Sequence, residues 1–306
     1  MEILVAAILT IITAATPLLF AALGELVTEK SGVLNLGVEG MMVMGAIVGF
    51  AAVHFSGSAT VAIFASMVAG ASMAAIFGVL VLVFHASQVP TGLALTIFGI
   101  GLSALVGQGM IGVAYDGIPQ LHIPVISDIP VIGEIFFSQD GLVYLSIFMV
   151  FAVMWFMNKT RAGLILRAVG DSHDAAHAMG YSVLKIRFLA VIFGGAMAGV
   201  GGAYLSLAYS PLWVEQMTAG RGWIALALVV FASWKVRRVL MGAYLFGGIS
   251  ILQLHAQALG IAVPSQVMSM LPYLATILVL VIISRDRSKI KLNAPASLGK
   301  PFHASR

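Results

Sequence analysis

Residues 60–84 read TVAIFASMVAGASMAAIFGVLVLVF, a run without a single charge. A spanning helix rises about 1.5 Å per residue and needs about 20 apolar residues to cross roughly 30 Å of hydrocarbon. This run is long enough. Seven more approach or exceed that length: Ile3–Leu23, Val33–His54, Gly92–Gly112, Leu142–Met157, Phe188–Tyr209, Leu240–Gln257 and Val267–Ser284. A ninth, Trp223–Trp234, is short. The fold expected is all-α: a polytopic transmembrane helical bundle of about nine crossings, within a range of eight to ten.

Composition agrees. Of 306 residues 60% are hydrophobic and 9% charged, against about a quarter charged in soluble domains. A mean hydropathy of +1.06 leaves too little polar surface to cover a water-soluble core. The absence of cysteine excludes disulfides and thiolate metal sites. A formal charge of +4 is too small to suggest nucleic acid. Met1-Glu2 opens straight into an apolar run with no basic segment, so no cleaved signal peptide is expected.

The cations set the orientation. With Met1 outside and nine crossings, 15 of the 16 Lys and Arg residues fall inside, and only Arg221 lies outside. The N-terminus is therefore expected out and the C-terminus in. The short run sets the parity. Were it re-entrant, Lys235, Arg237, Arg238 and the basic tail would face out, so it is taken as a crossing extended at its start toward Glu215. Residues 1–284 then form the transmembrane domain. The 113–140 loop, with four acids and no Lys or Arg, faces out. The 158–187 loop faces in. Residues 285–306 form a basic cytoplasmic tail with no apolar periodicity, expected to be disordered.

Within the spans, Gly194, Ala198 and Gly202 recur at four-residue spacing, which lets helix backbones approach closely in lipid. Packing between helices is the favoured reading, close approach to a transported molecule the other. Asn35 and Glu39 share a helix face. An acid inside a span is costly unless paired or wetted, so the two are either path residues or a structural tie between helices. Glu39 reads as the only acid deep in a helix. In the inner loop, Asp171 or Ser172 can cap a short helix that Gly180 ends. Ala175, Ala176 and Met179 form its apolar face, with His173, Asp174 and His177 more exposed. A helix of two turns does not persist alone in water, so it requires a seat or a partner. His173 and His177 lack an evident third metal ligand. No protease, hydrolase or nucleotide-binding motif occurs, so no catalytic residue, cofactor or metal is assigned. If ATP drives transport, another chain binds it.

The stretch Gly32-Val-Leu-Asn-Leu-Gly-Val-Glu-Gly-Met-Met-Val-Met-Gly45 resembles the second-helix signature of permeases in ABC importers for ribose, branched-chain amino acids and nucleosides. Thr91–Gly99, Met217–Ala227 and Leu271–Ile277 are similar to the nucleoside (basic membrane protein-dependent) or simple-sugar branch. The resemblance spans roughly residues 15–285. It implies a permease subunit in a bacterial plasma membrane, importing a nucleoside or simple sugar. Its implied partners are a second, related permease, an ATP-binding subunit and an extracytoplasmic substrate-binding lipoprotein. It further implies that Gly170–Gly180, with Gly170, Asp171, Asp174, Ala175, Ala176, Met179 and Gly180, is the coupling helix seated on the ATPase. Where family members commonly carry Asn-Pro, this chain has Ser172-His173.

Candidate path residues are Asn35, Glu39, Thr91 and Thr96, the threonines by resemblance and depth. Glu215 and Arg221 are candidates for docking the binding protein or for anchoring at the interface. Alternatives are the same importer class serving a branched-chain amino acid, and, from another class, a self-sufficient secondary transporter or channel. The scarcity of fixed charge in the spans favours a neutral solute bearing hydroxyls.

Overall fold

A computed structural model describes residues 2–121, 131–258 and 293–303, with isolated positions at 127, 129 and between 264 and 281. Among the described residues the chain is helical, without strands and with three isolated β-bridges. In order the helices are α1 (Glu2–Lys30), α2 (Val38–Ser56), α3 (Ala59–Gly78), α4 (Gln88–Gly107), α5 (Ile132–Phe137), α6 (Gly141–Lys159), α7 (Arg161–Asp171), α8 (His173–Ala178), α9 (Val183–Tyr204), α10 (Arg221–Phe231) and α11 (Val236–Ala258). α3 and α9 each end in a π-helical turn, Val79–Val83 and Leu205–Tyr209.

Among the described residues six helices are long and apolar enough to cross a membrane: α1, α2, α3, α4, α6 and α9, three of them with their end turns. The short run behaves differently from expectation. α10 has 11 residues and begins at Arg221, so its helix extends only two residues toward Glu215 and stops short of it. The run Val267–Ser284 lies for the most part outside the described residues.

α9 is the central post, with α1, α2 and α3 packed around it, and its glycines explain why. A Cβ on Gly202 would lie 1.8 Å from the Met42 carbonyl oxygen of α2. One on Gly199 would lie 2.2 Å from that of Ser66 in α3, and one on Gly194 would lie 2.2 Å from Thr28 Oγ1 in α1. No side chain fits at such distances, so the stripe serves helix packing. Thr28 closes the α1–α9 seam by donating from Oγ1 to the Ala190 carbonyl at 3.1 Å. The outer faces of α3, α4 and α6 instead expose Phe64, Val68, Ile97, Phe148 and Trp155. Apolar exposure on that scale suits lipid or another subunit rather than water.

Candidate functional site

Glu39, in the first turn of α2, is 4% exposed and fully engaged. Its Oε1 accepts from Thr218 Oγ1 at 2.6 Å and from the Gly220 amide at 2.8 Å, and its Oε2 accepts from the Gly222 amide at 2.6 Å. These donors are the N-terminus of α10, whose amides lack intrahelical acceptors and whose dipole favours negative charge. Close packing forces the contact, since a Cβ on Gly222 would lie 2.6 Å from the Glu39 backbone.

This junction sits at mid-height. Gly40 packs on Leu95 and Thr96, near the middle of α4, while Trp213 packs on Gly107 at the end of α4. The chain from Trp213 to Gly220 therefore runs half the length of α4 before α10 starts. The left-handed backbone of Gln216, Ala219 and Gly220 turns it into the helix. α10 then runs to the far end of α1, where Trp234 Nε1 donates to Glu29 Oε2 at 2.5 Å.

Around the junction the other polar groups are buried too. Asn35 Oδ1 accepts from the Gly37 amide at 2.9 Å, and the Asn35 backbone N–H donates to Glu25 Oε1 at 3.2 Å. Thr96 Oγ1 donates to the Leu36 carbonyl at 3.1 Å, and the Leu34 amide donates to Gln88 Oε1 at 2.8 Å. Together these bonds fasten the nonhelical link between α1 and α2 onto α4. Glu25 and Glu29, one turn apart on α1, are 1% and 0% exposed. Glu25 Oε2 and Glu29 Oε1 are buried without a hydrogen-bond partner.

At the Lys30 end of the bundle, Ser172 caps α8 by accepting from the Ala175 amide at 3.3 Å. Gly180, at φ +86°, ends it. The seat is internal. Ala176 is buried against Val169, Val183 and Phe302, the last belonging to the C-terminal segment. That segment binds by its backbone. The Ser297 amide donates to the Gly170 carbonyl at 2.9 Å, and the Gly299 amide donates to the Gly32 carbonyl at 3.1 Å. Arg187, fully buried, joins the parts. Its Nε donates to the Ser31 carbonyl at 3.1 Å, one terminal nitrogen donates to the Lys300 carbonyl at 3.1 Å, and the other lies 3.2 Å from His173 Nδ1. Burial, and then the Arg187 charge, hold the His173 imidazole below its ordinary pKa. Among the described residues no group of metal-ligating side chains forms.

Residues 7–282 match the family described as branched-chain amino acid transport system, permease component. The chain belongs to that family. The permease is 40% identical to the putative glucose ABC transporter permease TsgC13 of Haloferax volcanii, with 95% of each chain covered. It is 34% identical to the guanosine ABC transporter permease NupQ of Bacillus subtilis, covering 89% of this chain and 92% of the relative. A second guanosine permease of that organism, NupP, is 25% identical over 77% of this chain and 66% of its own. No solved structure matches. With six candidate spans in the described residues, it is a multi-pass membrane protein.

In this permease Asn35, Glu39 and Thr96 come together, each buried and hydrogen-bonded within the chain, while Thr91 is half-buried one turn away. Arg221 is no free outer anchor. It holds the Met217 and Thr218 carbonyls at 3.1 and 3.3 Å and stacks on Tyr209 beside the mid-height junction. Glu215 is exposed.

The residues expected to form a coupling face divide. Asp171, Asp174, Ala175, Met179 and Gly180 are exposed, whereas Ala176 and Gly170 are buried within the chain. A Cβ on Gly170 would lie 2.1 Å from the Lys30 carbonyl oxygen, so neither is available to a partner. Residues 293–303 are docked rather than disordered; 285–292 and 304–306 lie outside the described residues. Glu39 is not the only deep acid, because α1 continues helical past Leu23 and buries Glu25 and Glu29. Sequence reasoning also missed Arg187, Thr218 and Phe302. Their signals were an isolated arginine at a span entry, a threonine before a glycine-flanked helix start, and one aromatic in a basic tail.

Proposed function

We propose that this chain is the membrane-spanning permease subunit of an ATP-driven importer carrying a nucleoside or simple sugar into the cytoplasm of a bacterial cell. Glu39 carries the substrate reading. A half-length helix starting mid-bundle offers its N-terminus to an anionic group, but here that terminus is occupied by the protein's own carboxylate. With no cation free at mid-height among the described residues, a neutral, hydroxyl-bearing solute fits best. The same argument disfavours the carboxylate of a branched-chain amino acid. Guanosine and glucose permeases among the relatives support the choice.

The chain is proposed to cross nine times, with its N-terminus out and C-terminus in. The sixteenth cation, Arg221, is drawn into the bundle by Tyr209 and two carbonyls. The segment from Trp213 to Gly220 together with α10 makes one discontinuous crossing, in keeping with the placement of nonhelical backbone inside protein rather than against lipid. The face of α8 formed by Asp174, Ala175 and Met179 is proposed to seat the ATP-binding subunit. An extracytoplasmic lipoprotein is proposed to deliver solute, and Glu215 is the surviving candidate for its docking. A second, related permease is proposed to complete the path. NupP and NupQ, two guanosine permeases of one organism, support that pairing. Asn35, Glu39, Thr91 and Thr96 act in this reading by fixing the helix junction beside the path. Uptake of labelled guanosine, uridine, ribose and glucose by proteoliposomes holding the whole assembly tests the proposal. Saturable ATP-dependent uptake of a nucleoside or sugar is expected; uptake of leucine alone would overturn the substrate class.

A further inference from the structure

A cavity of about 860 Å³ opens at the Lys30 end of the bundle, between the ends of α1 and α6 and the α10–α11 corner. Lys30, Lys159, Arg167, Lys235, Arg237 and Arg238 line it. No described residue forms an ion pair with any of them, the one described pair being His173 with Asp174. Lys30 is close enough to Arg167 and Lys235 to feel their repulsion, with Asp171 the one acid acting on it among the described residues. Arg167 Nε is buried without a hydrogen-bond partner. Gathering six cations around one cavity is unfavourable unless an anion completes it.

The cavity's other wall is apolar. Phe151, Trp155 and Met241 line it, exposed by 60%, 64% and 64% on the outer faces of α6 and α11. A surface where cations meet exposed apolar side chains along two helices has the two-part chemistry of a phospholipid, an anionic head with chains running beside it. We propose that this cavity binds an anionic phospholipid of the cytoplasmic leaflet, its phosphate among Lys30, Arg167 and the Lys235–Arg238 corner and its chains along Phe151 and Trp155. The proposal rests on the orientation above, which puts this end inside. A soluble phosphate would use the cations and leave the aromatic wall idle. An acidic protein surface would meet cations that are partly recessed.

The test is native mass spectrometry of the full chain in detergent, titrated with phosphatidylglycerol or phosphatidylcholine, with glycerol 3-phosphate as a soluble competitor. The expected result is retention of phosphatidylglycerol over phosphatidylcholine, no displacement by glycerol 3-phosphate, and about a hundredfold weaker binding in a chain carrying Lys235→Gln, Arg237→Gln and Arg238→Gln. A companion with Lys235→Arg, Arg237→Lys and Arg238→Lys keeps the charge and should retain the lipid, which separates charge from misfolding. Equal retention of both lipids, displacement by glycerol 3-phosphate, or a glutamine variant that keeps phosphatidylglycerol would each overturn the site. So would a glutamine variant that keeps the lipid and sheds the ATP-binding subunit, since the cations would then serve a protein. A parent chain that shows no lipid selectivity while nucleoside or sugar uptake is intact refutes this site alone, and a selective parent without such uptake refutes the transport reading alone.

Discussion

The Gly222 amide donates to Glu39 Oε2 at 2.6 Å, a bond between residues 183 positions apart. It makes the start of α10 depend on a carboxylate from α2. Hydrogen bonds to a charged group are worth about 1.5–3 kcal/mol each, and a buried donor left unpaired costs a comparable amount.

Replacement of Glu39 by Gln puts an NH₂ group against at least one of three converging donors. Glu39→Gln should therefore lose about 2–3 kcal/mol of stability, lower the thermal midpoint in detergent and abolish uptake, while still inserting into membranes. A glutamine variant as stable and active as the parent would show that α10 does not need this carboxylate.

The glycine stripe gives a contrast within one chain. A methyl group on Gly202 meets the Met42 carbonyl at 1.8 Å, whereas one on Gly101 meets nothing within 4 Å. Gly202→Ala should yield little folded protein on size exclusion, since the α2 backbone must move to admit it. Gly101→Ala should match the parent. Equal yields for both would mean that α2 and α9 are not packed in this way.

What the sequence makes legible is local chemistry. The apolar runs, the Ser172 cap, the Gly180 stop and the close-packing stripe each depend on residues within a few positions of one another. The junction does not. Gln216 and Ala219 adopt left-handed backbone without being glycine, and the acceptor for the α10 amides lies in another helix. Glu25 and Glu29 fall past the apolar run, yet Leu26 and Val27 between them keep the helix buried. The tail misleads for a different reason. Its charge suggests disorder, while Phe302, two backbone hydrogen bonds and the Arg187 and Lys30 side chains dock it.

That docking can be tested directly. Phe302 is 5% exposed between α7, α8 and α9. Phe302→Ala should cost about 3 kcal/mol locally and release the tail, seen as new protease cleavage between residues 293 and 303, with the spans untouched. Parental resistance to protease in this variant would detach Phe302 from the α8 seat.

Acid should loosen the same seat. His173 has its pKa lowered by burial first, then by Arg187, with Lys300 adding and Asp174 opposing. Below the ordinary value of 6.5 the unfolded chain therefore binds a proton that the folded chain resists. Stability rises with pH across that window. The contribution of a neutral His173 is complete above pH 6.5 and is lost as pH falls below it. The parent should lose thermal midpoint between pH 7 and 5 more steeply than His173→Asn. Superimposable pH profiles would remove His173 from the account.

The proposed discontinuous crossing decides the topology. Residues 235–238 lie inside only if the segment from Trp213 to Gly220 descends and α10 continues in the same direction; if α10 turned back, Lys235 would surface beside the 113–140 loop. The Trp234–Glu29 bond places that corner at the Lys30 end, and Lys30 itself donates to the Asn293 carbonyl at 2.6 Å. The chain has no cysteine, so single substitutions report cleanly, and Asp116, Asp174 and Lys235 are all exposed. With an impermeant thiol reagent, Asp116→Cys should label on intact cells, whereas Asp174→Cys and Lys235→Cys should label only after permeabilisation. Labelling of Lys235→Cys from outside, with Asp174→Cys still protected, would make α10 a re-entrant hairpin and reverse every later segment.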